Sequence, residues 1–300
     1  MDDGYFKILR VVSGHGGLSA DAIVRASGEA RTVLQALREA KPDWLVEREG
    51  LLRCTEKGFE AYCREAYARE VKAVDAEALA AYARIAARRP PADRALDQVY
   101  ATADTALERA RVLVSHGETQ RGLCLLGDDD LTSVALGILG VTRRVTVLEI
   151  DERLTALLET ASEELGLDRK IVRHDLRDPT PRELRGKFGA VFTDPPYAIE
   201  GFRLFVARAT ELLREDGKLI VSFGQSRRSV ERGLEKQRAL VELGYFIEEV
   251  KPDLVRYDGA ESIGASSSLY VCRRTPLAKV EREARVEGDL YSARSPKRRK

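Results

Sequence analysis

Three hundred residues, 44% hydrophobic and 33% charged, suffice for a sizeable buried core and fit two modest domains. Lys+Arg 50 against Asp+Glu 49 leaves a net charge of +1, which excludes a body built throughout to coat nucleic acid. The four cysteines (Cys54, Cys63, Cys124, Cys272) form no CxxC pair and have no histidine at ligand spacing, so neither a disulfide framework nor a metal site is expected.

At the N-terminus there is no apolar signal core, and no stretch approaches the roughly 20 apolar residues of a membrane span. A cytoplasmic protein without a membrane partner is therefore expected. Tyr5 to Val12 suits a buried first helix, Ser19 caps a second through Arg25, and a third runs from Ala30 to Ala40 before Pro42 stops it. Trp44-Leu45-Val46 and Leu51 to Cys54 flank Gly50, a hairpin signal, and Thr55 opens a fourth helix. This order gives residues 1–90 a winged-helix-like pattern. Arg31 and Arg38 on the third helix are balanced by Glu29 and Glu39, so no basic face points to duplex binding.

Pro90-Pro91 breaks the chain, and residues 91–120 read as a connecting helix from about Ala92 to Ser115. From 121 to 275 the pattern changes to short continuous apolar runs alternating with helices. The runs are Leu123–Leu126, Arg144–Ile150, Lys170–Arg173, Gly189–Phe192, Leu219–Phe223, Tyr245–Val250 and Ser268–Cys272. Runs of this kind indicate an α/β fold, a Rossmann-like, methyltransferase-type parallel sheet buried on both faces. The last two lack an intervening helix and suit a terminal antiparallel pair. Residues 276–300 are charged, end in a basic run, Arg294 to Lys300, and are expected to form a disordered tail.

Open sheets of this class bind ligands beyond the carboxyl ends of their strands. Four successive strand ends carry acids here: Asp128-Asp129-Asp130, then Glu149 and Asp151, then Asp175 and Asp178, then Asp194. Their convergence predicts a strongly acidic crevice in a nearly neutral protein, attractive to cations and repellent to phosphates. Only Gly127 survives of a glycine-rich pyrophosphate turn, so the nucleotide expected is a phosphate-free adenosyl sulfonium. Glu149, about 20 residues on, suits ribose hydroxyls. Asp175 and Leu176 suit an adenine amino group and ring. Asp194-Pro195-Pro196-Tyr197 is the sharpest motif: the prolines fix an extended turn, Asp194 can take the proton of an amine nucleophile, and Tyr197 can face a cation. His116 and His174 have no partners at metal spacing and read as satisfied or solvated side chains.

Asp97-Gln98, Thr102, Asp104-Thr105, Gly127 to Ser133, Glu149 to Leu154, Asp175 to Arg177, Asp194 to Tyr197 and Phe223 to Arg228 together resemble the branched-chain polyamine synthases. These make N(4)-bis(aminopropyl)spermidine in thermophilic archaea and bacteria. The resemblance spans about Asp97 to Ser229 and implies decarboxylated S-adenosylmethionine as co-substrate, with no tightly bound cofactor. It further implies spermidine as acceptor, methylthioadenosine as by-product and a homodimer. It assigns Asp194 as the catalytic aspartate, the Asp128–Asp130 run as the acidic turn and Asp104 as an amine contact. The family's acidic closing segment corresponds to Pro252–Ser268, which is glycine- and serine-rich here with only Asp253, Asp258 and Glu261.

Two other classes compete. An amino-group methyltransferase acting on a nucleic-acid base also carries DPPY, but it needs a basic channel where this chain places acids. A winged-helix ligand sensor without catalysis has no need of an intact Asp194 turn.

Overall fold

The computed structural model describes residues 1–70, 74–116, 121–224, 230–258, 266–280 and 290. The basic tail and part of the Pro252–Ser268 segment lie outside them. By internal contacts the chain divides into two units, Met1–Val71 with Val114–Gly117, and Lys72–Leu113 with Glu118–Lys300.

In the first unit, helices α1 (Asp3–Ser13), α2 (Ala20–Ser27) and α3 (Arg31–Ala40) precede strands β1 (Leu45–Arg48) and β2 (Leu51–Cys54) and helix α4 (Glu56–Arg69). Asp2, Ser19 and Thr55 cap α1, α2 and α4 through their side-chain oxygens, which relieve orphan N–H groups of the first turns. Glu49 and Gly50 both have positive φ (55° and 72°) between Arg48 and its partner Leu51. A two-residue turn of that hand matches the twist of the paired strands. Ile8, Leu9, Val12, Ile23, Leu34, Leu37, Leu45 and Leu52 form the core.

In the second unit, helix α5 (Ala76–Ala86) and helix α6 (Ala103–Ser115) lead into strand β3 (Leu123–Leu126), α7 (Thr132–Ile138), β4 (Val145–Glu149), α8 (Glu152–Glu164) and β5 (Arg169–Arg173). There follow β6 (Phe188–Thr193), α9 (Ile199–Leu212), β7 (Leu213–Phe223), α10 (Val230–Glu242), β8 (Tyr245–Arg256) and β9 (Ser266–Arg274). The strand order is β5-β4-β3-β6-β7-β9-β8. The first five strands pair in parallel, and β9 is antiparallel to both β7 and β8, as the missing helix between the last two apolar runs implied. Every residue of β3, β4 and β6 is buried, the expected state of central strands covered on both faces. β3 lies between β4 and β6, so the chain order reverses there and a crevice opens at the carboxyl edge.

The stretch read as a connecting helix differs. Asp93 accepts a bond from Ala95 N, capping a single 3-10 turn (Arg94–Leu96) that ends on Asp97 at φ 56°, and helix α6 begins only at Ala103. Ala106, Leu107, Arg109 and Ala110 are wholly buried, so α6 is a core element rather than an exposed tether. Among the described residues no helix is long and apolar enough to cross a membrane.

One glycine of the first unit is fixed by close approach. Thr55 Oγ1 donates to Asp43 O at 2.6 Å and accepts from Gly58 N at 3.1 Å, drawing α4 against the chain before the hairpin. A Cβ on Gly58 would stand 2.2 Å from Trp44 O. Gly58→Ala is therefore expected to destabilise this unit by about 2 kcal/mol or more, despite alanine's better helix propensity. Urea unfolding followed by fluorescence of Trp44, the single tryptophan, measures it; an unchanged midpoint would refute the close contact.

Candidate active site

The register of the central strands brings the motifs together. Leu126 stands opposite Leu148 on one side and Thr193 on the other, so Gly127, Glu149 and Asp194 emerge side by side at the carboxyl edge. Thr193 Oγ1 donates to Leu126 O at 2.9 Å across the switch point. A cleft opens there, lined by Asp97, Asp129, Asp130, Glu149, Asp194 and Lys236, and by Tyr197, Phe205, Phe223 and Tyr257. The acidic crevice expected from four strand ends is thus built from three of them, with Asp97 added.

The three adjacent aspartates have separate places. Asp128 is buried and accepts from Ser133 N with both oxygens at 3.2 Å, satisfying a first-turn donor of α7. Burial pushes its carboxyl up to about 7, against those hydrogen bonds. Asp129 is only half-buried and faces the cleft. Burial, and then Asp130 beside it, raise its carboxyl well above the usual range. Asp130 is 3% exposed, accepts from Ala101 N at 2.5 Å and is paired with Arg109; its carbonyl accepts from Tyr82 OH at 2.5 Å.

Arg109, on α6, is the side chain around which the site is built. It is wholly buried, and its two terminal nitrogens divide between Asp130 Oδ2 and Asp194 Oδ2, the latter at 2.5 Å. Its guanidinium lies 5.3 Å from the Phe192 ring centroid. Burial works against its charge, and Asp130 and Asp194 more than offset that. Asp194 accepts a second bond from Tyr257 OH at 2.7 Å, and Tyr257 OH lies 2.9 Å from Ser267 Oγ. Burial raises the Asp194 carboxyl, with Arg109 opposing. It is held above the ordinary carboxylate range while a cation supports its charged form, a setting suited to a base that must also release its proton.

Glu149 accepts one backbone N–H at each oxygen, from Asp128 N at 2.8 Å and Asp151 N at 2.9 Å. Both bonds fix the carboxylate at the cleft wall and leave each oxygen further acceptor capacity. Burial raises its carboxyl against those bonds. Asp151 caps α8, and its bonds to Arg153 hold it at about 2. Tyr197 is 40% exposed at the cleft, with its hydroxyl pushed up to about 12 by burial and then by Asp194.

Four expected site residues stand elsewhere, the first being Asp128, which is buried on Ser133 N and does not line the cleft. Asp104 is exposed in the first turn of α6 and does not line the cleft. Asp175 is engaged by Arg177, two residues on, at 2.6 Å, and Leu176 is buried in the hydrophobic core. Arg208, itself 1% exposed, donates to the carbonyls of Leu176 and Arg177 and holds that loop in place. Sequence reasoning missed Arg109, Tyr257 and Lys236, and gave the cleft-facing Asp97, quoted only as part of the family resemblance, no role of its own. The first is one arginine among many in helices; Tyr257 sits in the glycine- and serine-rich stretch before β9, part of which lies outside the described residues. Among the described residues no cluster of three or more His, Cys, Asp or Glu is arranged to hold a metal ion.

The family model of the branched-chain polyamine synthase A C-terminal domain matches residues 77–287. The N(4)-bis(aminopropyl)spermidine synthase of Thermus thermophilus is 33% identical over 224 residues, 68% of this chain and 65% of that one. The enzyme of the same name from Thermococcus kodakarensis is 38% identical over 174 residues, 56% of this chain and 49% of that one. The matched stretch thus spans about half to two thirds of these relatives. A crystal structure of the Thermus thermophilus branched-chain polyamine synthase, in complex with N4-aminopropylspermidine and 5'-methylthioadenosine, superposes with a TM-score of 0.65. It is 26% identical, and the match covers 96% of this chain and 91% of that one.

Removing Arg109 would leave the buried Asp130 carboxylate and the partly buried Asp194 carboxylate without their cation. Arg109→Met is expected to cost about 3–5 kcal/mol in urea unfolding, because a buried ion pair broken on one side leaves uncompensated charge. Adding Asp130→Asn should recover part of that loss. A cost below about 1 kcal/mol, or no recovery, would refute the bridging role.

Proposed function

Because the chain belongs to the branched-chain polyamine synthase A family, we propose that it transfers the aminopropyl group of decarboxylated S-adenosylmethionine to the central nitrogen of spermidine. Successive transfers give branched polyamines and release methylthioadenosine. The observation that carries this reading is the Asp194 carboxylate, fixed by Arg109 and Tyr257 in the wall of an acid-lined cleft.

Donor and acceptor are both cations, and an acidic cleft with low-dielectric walls concentrates both. Glu149 and the Gly127 turn form the wall for the ribose hydroxyls, with no phosphate cradle required. Asp129, Asp97 and Tyr197 face the ammonium and sulfonium charges. Asp128 and Asp130 act behind them: one caps α7 and the other anchors Arg109.

The attacking nitrogen must carry a free lone pair. In the first transfer the secondary nitrogen passes its remaining proton to Asp194 as it bonds to the carbon beside sulfur; in the second the tertiary nitrogen gives its proton to Asp194 before it attacks. That carbon–sulfur bond breaks, its electron pair stays on sulfur, and the sulfonium becomes the neutral thioether of methylthioadenosine. Positive charge passes from the donor sulfur to the attacking nitrogen, leaving with the proton in the first transfer and staying as a quaternary ammonium in the second, so the cleft's negative field serves substrate binding and stabilises the developing ammonium. The homodimer and the cytoplasmic location expected from the resemblance belong to the same reading.

Mass spectrometry of the amine products tests it, with spermidine and either the decarboxylated or the intact donor. Aminopropyl addition from the decarboxylated donor alone is expected, with Asp194→Asn lowering kcat roughly 10²–10⁴-fold, the usual worth of a positioned base. Methyl addition from the intact donor would overturn the reading.

A further inference from the structure

The cleft contains a cation of its own. Lys236, on α10, is 5% exposed and lines the cleft that holds Asp194. Its ammonium lies 5.5 Å from the Tyr197 ring centroid, 5.7 Å from that of Phe202 and 5.8 Å from that of Phe223. Three rings within about 6 Å form the kind of aromatic cage that takes up an alkylammonium ion. The cage is rigid. Phe223 stacks on Tyr270 at 4.0 Å and meets Phe202 edge-on at 5.4 Å.

Among the described residues no hydrogen bond or ion pair is made to this ammonium, so the rings and more distant charges hold it. Those charges are Asp194, Glu235 and Asp97 in its favour and Arg232 against, while burial pulls its proton affinity down. Beyond it lies a second hollow, lined by Tyr197, Ala198, Ile199, Arg232, Glu235 and Lys236. Lys236 and Tyr197 thus stand between the reaction cleft and that hollow.

We propose that Lys236 is a specificity-determining residue: its ammonium fills the aromatic cage and excludes acceptor arms that would place a second ammonium there. The inference deepens the aminopropyl-transfer reading and rests on it. An arm running from the nitrogen at Asp194 toward the rings must stop short of the cage or end in an uncharged group. An arm ending in an ammonium meets like charge in a place with little water to screen it.

Three acceptors of matched length separate charge from size: spermidine, its analogue with a butyl in place of the aminopropyl arm, and its analogue with a pentyl in place of the aminobutyl arm. Their affinities are measured by calorimetry in the presence of methylthioadenosine, so turnover is not required. In the wild type, one of the two alkyl analogues should lose less affinity relative to spermidine than the other. In Lys236→Met and Lys236→Ala the preference for spermidine over that same analogue should rise at least tenfold. Lys236→Arg, which keeps the charge, should restore the wild-type ratio. Ratios within twofold of wild type in both neutral variants, or an equal fall in affinity for all three amines, would overturn the proposal and leave a purely structural lysine. Absence of binding of every amine by the wild type would overturn the aminopropyl-transfer reading, and this inference with it.

Discussion

A single buried guanidinium ties the site to the fold. Arg109 reaches from α6 to the turn after β3 through Asp130 and to the turn after β6 through Asp194. The same Asp130 holds Ala101 N, and its carbonyl holds Tyr82 of α5. Taking these charges out of water is costly, and replacement by apolar side chains often leaves a protein no less stable. The fork is therefore better understood through what it positions. Two strand-end turns that would otherwise repel each other are locked at one separation, with the Asp194 carboxylate aimed along the cleft. Pro195 and Pro196 stiffen the same turn from the other side, restricting the backbone after Asp194.

With Arg109 in place, the acidic character of the cleft is graded rather than uniform. Asp130 is neutralised by its pair, and Asp128 spends both oxygens on the start of α7. Asp129 is left facing the cleft, with its carboxyl raised by burial and by its neighbour. A cation placed beside a carboxyl raised in this way favours its charged form, so the cleft gains from a cationic ligand. Glu149 is fixed by two backbone donors at the other wall. The result is a nearly neutral protein with one cation-seeking cleft, and a lysine that tempers it at the aromatic end.

Features written in local pattern were legible from the amino-acid sequence. Continuous apolar runs at Leu123–Leu126, Arg144–Ile150 and Gly189–Phe192 announced buried parallel strands, and the missing helix before the run Ser268–Cys272 announced the antiparallel end. Asp194, Glu149 and Gly127 could be placed because a strand end fixes where a following residue must emerge. Arg109 could not, since nothing in one turn of a helix says that its arginine will point inward to acids 21 and 85 residues away. Asp175 misled for the opposite reason: its position after a strand is right, but Arg177 lies close enough to take its charge locally. The helix start was misplaced because Asp93 captures Ala95 N and a single 3-10 turn forms where a helix pattern reads through. Tyr257 and Lys236 come to the cleft from elements whose own periodicity carries no trace of it.

The account rests on a cleft whose field favours an all-cationic donor, and comparing the binding of two donors tests that most directly. Decarboxylated and intact S-adenosylmethionine differ by one carboxylate, which in this cleft would enter among Asp97, Asp129 and Asp194. Calorimetry should find the decarboxylated donor bound at least tenfold more tightly, with the difference shrinking as salt is raised. Equal affinity, or tighter binding of the intact donor, would contradict the account.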